Sequence, residues 1–195
     1  MPRNVRDRIT DYSSNADDVD KWLRVKGEIK YNEFGDILGG LGMELTWKNI
    51  SDLYRYDKRL LVNNFIYLSF FEEYVRAMIL NHSGNIKSYE WMHDRSFGEL
   101  DAMLSKMDWK VVAQYFDCDD ISAKLDSVRL LRNDVAHNKI ILLLPEYRKK
   151  MNDFYALLPS DYRDNYRMKI VGCTEDLDVP AEVSDIFLRY SGQGE

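Results

Sequence analysis

Apolar residues recur at helical spacing over most of the chain, and the longest such pattern covers residues 47–80. One stripe of this segment consists of Leu53, Tyr56, Leu60, Asn64, Tyr67, Phe71, Tyr74 and Met78. An adjacent stripe consists of Leu61, Phe65, Leu68, Val75 and Ile79. Intervals of three and four residues place each stripe on one side of a helix. Because this helix is apolar on two faces, we expect it to pack between other helices.

The same spacing predicts several further helices. They cover residues 19–29, 96–107, 120–144, 146–157, 160–167 and 181–190. The segment 31–43 contains four glycines and is predicted to form a loop with a short helix. Only residues 168–173 offer a weak strand signal. The pattern therefore predicts an all-α protein.

Chain length and composition favour one globular unit. The chain has 195 residues, with only four prolines and ten glycines. This length fits one domain, or one domain with modest extensions. We divide it into an N-terminal, partly helical extension (1–46), a helical core (47–145) and a C-terminal helical extension (146–195).

Composition also argues against several classes of protein. Cys118 and Cys173 are far apart and form no CxxC motif, so we expect neither a disulfide framework nor a zinc site. We expect no cofactor. The charged N-terminus lacks the apolar region of a secretory signal, and no apolar run reaches the ~20 residues that span a bilayer. We therefore expect a cytoplasmic protein without membrane contact.

Charge is distributed unevenly along the chain. The net charge is −6, which does not suggest a general nucleic-acid coat protein. Residues 127–150, however, contain six basic and two acidic residues, a local charge of +4. The basic residues are Arg129, Arg132, Lys139, Arg148, Lys149 and Lys150. Such clustering fits either contact with RNA or an ordinary solvated face.

A helical wheel gives the segment 120–144 two apolar faces. The core stripe consists of Ile121, Leu125, Val128, Leu131, Val135 and Leu142. The nearly opposite stripe consists of Leu130, Asn133, His137, Ile141 and Leu144. A solvated face would not normally carry Leu130, Ile141 and Leu144. We therefore expect these three to contact another helix of the chain or a second copy of it.

The polar residues of this segment suggest acid–base chemistry on a phosphate. His137 lies one turn from Asn133, whereas Arg132 is displaced from His137 by about 140° around the helix. Histidine titrates near neutrality, and arginine holds phosphate by two parallel hydrogen bonds. One helix does not direct both groups to one point, but two antiparallel copies could pair them. On spacing alone, an arginine and a histidine five residues apart are more often structural.

Three segments resemble one known family. L-R-N-D-V-A-H-N at 131–138 resembles the Arg-x4–6-His signature of the HEPN superfamily, and specifically its Abi-like (abortive infection) branch. L-Y-R-Y-D-K-R-L at 53–60, followed by F-F-E-E-Y-V-R with Glu72 and Arg76, is similar to the long helix of that family. S-F-G-E-L-D-A-M-L at 96–104 resembles its F-G-x-L segment. The resemblance covers residues 47–145, about half of the chain.

The resemblance implies a HEPN-type bundle of four core helices with extra helices at both ends. It also implies a homodimeric, metal-independent endoribonuclease that leaves a 2′,3′-cyclic phosphate and acts in phage defence or as a toxin. An antitoxin protein or RNA would then be a partner. The residues expected to act are Arg132, His137 and Asn133 in catalysis, Glu72, Arg76 and Asp134 in support, and Arg129, Lys139, Arg148 and Lys149 in RNA contact.

Two other functions stay open from the sequence. The chain could be a non-catalytic HEPN module that binds RNA or a protein and serves as a dimerisation scaffold. It could also be a helical adaptor with no nucleic-acid role. An exposed His137 would favour the RNA hypotheses, and a buried one would favour the adaptor.

Overall fold

The computed structural model describes residues 4–82 and 89–185, and every regular element within them is a helix. The all-α expectation is therefore confirmed for this part of the chain. The elements are a 3-10 turn at Val5–Asp7, α1 (Tyr12–Lys26), α2 (Glu28–Gly40), α3 (Trp47–His82), α4 (Tyr89–His93), α5 (Phe97–Leu104), α6 (Trp109–Val112), α7 (Ile121–Ala136), α8 (Pro145–Leu157), α9 (Ser160–Val171), a 3-10 turn at Gly172–Thr174 and α10 (Ala181–Ser184).

Two predictions at the C-terminal end have different outcomes. The weak strand signal at 168–173 was wrong, because this segment ends α9 and begins the second 3-10 turn. Of the helix predicted at 181–190, the first four residues form α10, and residues 186–190 lie outside the described residues. No helix in the described ranges combines the length and apolarity needed to cross a membrane.

The helix α3 is the central element of the fold. Its 36 residues give it a length of about 54 Å, at the usual rise of 1.5 Å per residue. α2, α5, α7 and α9 all pack against it, and α7 packs extensively on α8. The predicted position of α3 between other helices is therefore confirmed. Its inward side includes the buried residues Leu53, Tyr56, Leu60, Asn64, Tyr67, Leu68, Phe71, Val75, Met78 and Ile79.

One hydrophobic core contains side chains from all three segments that the sequence suggested. Phe34 of α2, Phe71 of α3 and Phe154 of α8 are all buried in it. The rings of Phe71 and Phe154 meet edge to face, with centroids 5.6 Å apart. The division at residues 46 and 145 stays a prediction, and the core is continuous across both positions.

α9 is joined to α3 by a buried polar contact. The Tyr166 hydroxyl donates to Asn64 Oδ1 at 2.8 Å, and Asn64 Nδ2 donates to the Leu60 carbonyl at 2.9 Å. Both Tyr166 and Asn64 are fully buried. The asparagine in the apolar stripe of α3 therefore serves to hold α9 in place.

The prediction of a loop with a short helix at 31–43 was wrong for most of the segment, because α2 runs without a break to Gly40. The glycines that suggested a loop instead permit other parts of the chain to approach α2 closely. A Cβ on Gly35 would lie 3.3 Å from Leu45 Cδ2 and 3.5 Å from the Arg8 guanidinium. Arg8 donates to the Gly35 carbonyl at 2.8 Å and pairs with Asp36 at 2.6 Å. Tertiary contact thus outweighs the low helix propensity of glycine.

The prediction that α7 runs to residue 144 was also wrong, because the helix ends at Ala136. Asn138 adopts the left-handed conformation with φ of 54°. Its N–H donates to the Val135 carbonyl, and the Lys139 N–H donates to the Asp134 carbonyl, both at 3.0 Å. These two bonds form a Schellman motif, in which asparagine is the usual alternative to glycine. His137 is therefore the C-cap residue of α7.

Candidate functional site

Arg132 is held at the protein surface by a carboxylate from α3. Its Nε donates to Glu72 Oε1 at 2.8 Å, and Glu72 Oε2 accepts from Arg76 at 3.1 Å. The Arg132 side chain is 38% exposed, whereas that of Glu72 is 13% exposed. Arg76 also donates to the Arg95 carbonyl at 3.1 Å. The structure therefore brings together Arg132, Glu72 and Arg76, which the sequence analysis had singled out separately.

This arrangement leaves part of the guanidinium available. The Glu72 contact uses Nε, and the two Nη groups of Arg132 have no protein partner among the described residues. A shallow pocket of about 120 Å³ lies beside the Glu72–Arg132 pair. It is lined by Phe65, Leu68, Ser69, Glu72, Arg132, Val135 and Ala136. The site can therefore present two N–H groups to an anion at its edge.

His137 is exposed at the end of α7. Its backbone N–H donates to the Asn133 carbonyl at 3.0 Å. Within the described residues no hydrogen bond holds the imidazole, and none joins it to the half-buried Asn133 side chain. The imidazole can therefore reach a ligand from solvent. Asn133, which was expected to act in catalysis, contacts His137 only through this backbone hydrogen bond.

Asp134 supports the fold and makes no described contact with Arg132 or His137. It is buried and accepts from Lys139 at 2.5 Å and from Lys150 at 2.8 Å. Burial raises the pKa of Asp134, but the hydrogen bonds from the two lysines outweigh it and lower the pKa overall. Lys150 also donates to Glu146 at 2.6 Å. Asp134 thus joins α7 to α8.

The four residues expected to contact RNA all have partners within the chain. Arg129 pairs with Asp126 at 2.5 Å, and Lys149 pairs with Asp153 at 2.6 Å. Lys139 pairs with Asp134, and Arg148 donates to the carbonyls of Leu143 and Glu182 at 3.1 and 3.3 Å. Three of these four cations are therefore ion-paired with carboxylates, and Arg148 is hydrogen-bonded to backbone carbonyls.

The predicted second apolar face of α7 does not form, because α7 ends before two of the three apolar residues assigned to that face. Ile141 is fully buried in the core, and Leu144 is partly buried against it. Of the three, only Leu130 belongs to α7, and it is 41% exposed at the surface. Ile141 therefore cannot serve at an interface without unfolding the segment. The larger exposed apolar surface lies on α3 at Val62, Phe65, Ile66 and Phe70, where the sequence analysis did not expect it.

A buried polar cluster adjoins His137 and was not anticipated from the sequence. Asp57 is fully buried, and its Oδ1 accepts from the Ile141 N–H at 2.7 Å. Its Oδ2 has no hydrogen bond and lies 3.8 Å from Lys30 Nζ, an ion-pair distance. Lys58 donates to Asn138 Oδ1 at 2.5 Å. The cluster therefore fixes the backbone on the C-terminal side of His137 against α2 and α3.

The same cluster has unusual electrostatics. Burial raises the pKa of Asp57 to about 6, although the Ile141 N–H and Lys30 favour its ionised form. Burial, and next the Lys30 ammonium, lowers the pKa of Lys58. The raised pKa of Asp57 and the lowered pKa of Lys58 both follow from the burial of these two groups beside the backbone that leads away from His137.

Comparisons with known proteins give no match, whether to family descriptions, to characterised proteins or to solved structures. The likeness to the HEPN superfamily therefore depends on the motif residues alone. Among the described residues, no group of three or more His, Cys, Asp or Glu side chains is arranged to hold a metal ion.

Proposed function

We propose that the chain is a HEPN-type, Abi-like endoribonuclease that acts as a dimer and cleaves RNA without a metal ion. The observation that carries this proposal is the Arg132–Glu72–Arg76 contact. Glu72 holds Arg132 at the surface, where both of its Nη groups lack a protein partner among the described residues, and Arg132 is close in sequence to an exposed histidine. An exposed guanidinium suits phosphate binding, and an exposed imidazole suits acid–base chemistry.

The reaction would use the 2′-hydroxyl of the RNA as its nucleophile. The neutral imidazole of His137 takes the proton of this hydroxyl, and the oxygen then attacks the adjacent phosphorus. The bond from phosphorus to the 5′-oxygen breaks, and this oxygen takes a proton from an imidazolium, which a second copy's His137 would supply. Arg132 stabilises the added negative charge on the phosphorane. The products are a 2′,3′-cyclic phosphate and a 5′-hydroxyl.

The test is cleavage of total RNA, with end-group analysis of the products. We expect His137→Ala to reduce the rate by about 10² to 10⁴, the usual contribution of general acid–base catalysis. We expect Arg132→Ala to reduce it by about 10² to 10³, because one stabiliser of charge is lost. Cleavage should persist in a metal chelator.

Two matched variants control for nonspecific effects. His82→Ala removes an exposed histidine from the end of α3, and Lys124→Ala removes a positive charge from the same helix as Arg132. Both should keep cleavage within a few fold. Wild-type cleavage that His137→Ala leaves unchanged, or that the chelator abolishes, would contradict the proposal.

One observation favours a second candidate, a non-catalytic HEPN module that binds a protein. Of the four cations predicted to contact RNA, three are ion-paired within the chain and Arg148 donates to two backbone carbonyls, and the net charge is −6. This candidate predicts no products from any RNA tested. It also predicts that the His137→Ala variant binds its partners as wild type does.

A further inference from the structure

A pocket between α1, α2 and α3 has walls made mostly of aromatic rings. Its volume is about 370 Å³, which is within the range of small-molecule sites. The residues that line it are Trp22 of α1, Tyr31 of α2, and Trp47, Ser51, Tyr54 and Arg55 of α3. Because Trp22 and Tyr31 precede residue 47, the likeness to the HEPN superfamily does not extend to this pocket.

The aromatic walls of the pocket are held in place by one another. The buried ring of Tyr31 stacks on that of Tyr54, with centroids 5.1 Å apart and planes 10° apart. The same ring meets the ring of Trp47 with centroids 5.6 Å apart. The side chain of Trp22 is 36% exposed, so part of its indole faces solvent. A planar ligand can therefore stack on rings whose positions are already fixed, which lowers the entropic cost of binding.

Positive charges lie close to these aromatic walls. The Nζ atoms of Lys21 and Lys26 are 5.2 and 5.8 Å from the centroid of the Trp22 ring, and neither lysine has an ion pair among the described residues. Arg55 lines the pocket itself and pairs with Asp52 at 3.3 Å. Aromatic walls alone would suit a quaternary ammonium ion, but the nearby cations repel one. The charges favour a flat ligand that carries a negative group.

The pocket also offers polar groups to the edge of such a ligand. Within the described part of the chain, the Ser51 hydroxyl and the Trp47 indole N–H line the pocket without making a hydrogen bond. A nucleobase has two flat faces that stack on aromatic rings, and donors and acceptors along its edge. We propose that this pocket binds a nucleobase, with the attached phosphate held by the cations beside it.

The pocket lies beside the end of α7, and the step from a nucleobase to a base of RNA rests on the proposed function. The Nζ of Lys58 is 5.6 Å from the centroid of the Tyr54 ring and donates to Asn138 Oδ1 at 2.5 Å. Together these distances put Asn138 Oδ1 within about 8 Å of the Tyr54 ring, and Asn138 directly follows His137. Nucleotides of a stacked strand follow one another at about 3.4 Å, so a few nucleotides reach from the pocket to His137. The pocket would thus select a base close to the bond that is cleaved.

Isothermal titration calorimetry of the full chain tests the pocket, with uridine and adenosine monophosphates as probes. We expect Trp22→Ala to raise the Kd by about 5- to 100-fold, since a stacked base loses one aromatic partner. Trp22→Phe keeps a ring and should restore most of the binding. Trp109→Ala is the matched control, because Trp109 is also an exposed tryptophan but lies on α6, outside the pocket. Circular dichroism establishes that each variant is folded.

Further ligands test the chemical class. Arg55→Gln should weaken the binding of the monophosphates by about two- to fivefold, the size of an exposed ion pair, and leave the binding of the uncharged nucleosides unchanged. Ribose 5-phosphate, which lacks a base, should not compete with the nucleotides. A wild-type chain that binds no nucleotide, or that binds tetramethylammonium instead, would overturn the proposed pocket. Equal losses in Trp22→Ala and Trp109→Ala would overturn it as well.

A single-stranded oligonucleotide with 2′-O-methyl riboses distinguishes RNA from free nucleotides, because its blocked 2′-oxygen cannot act as the nucleophile. If the base belongs to an RNA strand, this oligonucleotide should bind wild type at least about tenfold more tightly than the monophosphates do. Trp22→Ala should weaken its binding, and Trp109→Ala should not. Monophosphates that bind as tightly as the oligonucleotide would overturn the step to RNA and leave the pocket as a site for free nucleotides.

Mapping the cut sites in total RNA tests the link between the pocket and His137. We expect Trp22→Ala to broaden the range of bases found beside the cuts, whereas Trp109→Ala should keep the wild-type pattern. Identical patterns from wild type and Trp22→Ala would overturn the link. If the wild type cleaves no RNA, the proposed function fails, while calorimetry still decides the pocket.

Discussion

The Asp57→Asn substitution should change how the stability of the fold depends on pH. Asp57 is fully buried, accepts one hydrogen bond from the Ile141 N–H, and has a second oxygen without a hydrogen bond. In Asp57→Asn the side-chain oxygen can keep the Ile141 bond, but the group no longer ionises. The variant therefore isolates the contribution of the buried charge.

The magnitude follows from the pKa of Asp57, which burial raises from 3.8 to about 6. A shift of about two units corresponds to about 3 kcal/mol. Because the folded pKa exceeds the unfolded one, the folded chain binds the proton more tightly. The stabilisation is complete below about pH 4 and is lost as pH rises through about 6. The free energy of unfolding of wild type, relative to Asp57→Asn, should thus fall by about 2 kcal/mol between pH 4 and 7.

Urea unfolding followed by circular dichroism at several pH values measures this difference. The attraction between Lys30 and the ionised Asp57 already contributes to the pKa of Asp57, so it needs no separate correction. Asp178→Asn, which changes an exposed carboxylate in the same way, serves as the control. Unfolding free energies of wild type and Asp57→Asn that run parallel from pH 4 to 7 would refute the reasoning.

Three further substitutions test the contacts that hold the site. Asp134→Ala should lower the free energy of unfolding, measured by urea denaturation, by about 3 kcal/mol, since the buried Lys150 loses a partner. A loss below about 1 kcal/mol would count against the stabilising role of the Asp134–Lys150 pair. Tyr166→Phe should lower the free energy of unfolding, measured by thermal unfolding, by about 1 to 2 kcal/mol, because Asn64 Oδ1 loses its donor. An unchanged Tm would argue against that hydrogen bond. Asn138→Ala should lower the free energy of unfolding by about 1 kcal/mol in the same assay, because alanine tolerates a left-handed backbone poorly. A variant more stable than wild type would contradict the Schellman motif.

Helices with a strong apolar period could be predicted from the sequence, and glycine-rich ones could not. The pattern at 47–80 identified α3 to within two residues at its C-terminal end. α2 was missed because Gly35, Gly39 and Gly40 suggest a loop when only local propensity is considered. Gly35 permits the close approach of Arg8 and Leu45, which lie 27 and 10 residues from it in the chain.

Within the candidate site, residue types could be predicted but their contacts could not. The resemblance pointed to Arg132, Glu72 and Arg76, yet the Glu72–Arg132 bond joins residues 60 positions apart. A helical wheel assumes that the helix continues, so it placed Ile141 and Leu144 on the face of His137. The left-handed Asn138 ends the helix first, and an asparagine followed by a new apolar run is a signal that could have suggested this.

The bond from Tyr166 to Asn64 spans 102 residues, and this separation matters while the chain is being made. At a synthesis rate of about 5 to 20 residues per second, α3 waits roughly 5 to 20 s after leaving the ribosome before α9 arrives. During that interval the side of α3 that later faces α9 is exposed on the nascent chain. Early binding by chaperones is therefore expected at α3, and folding can finish only after α9 has left the ribosome.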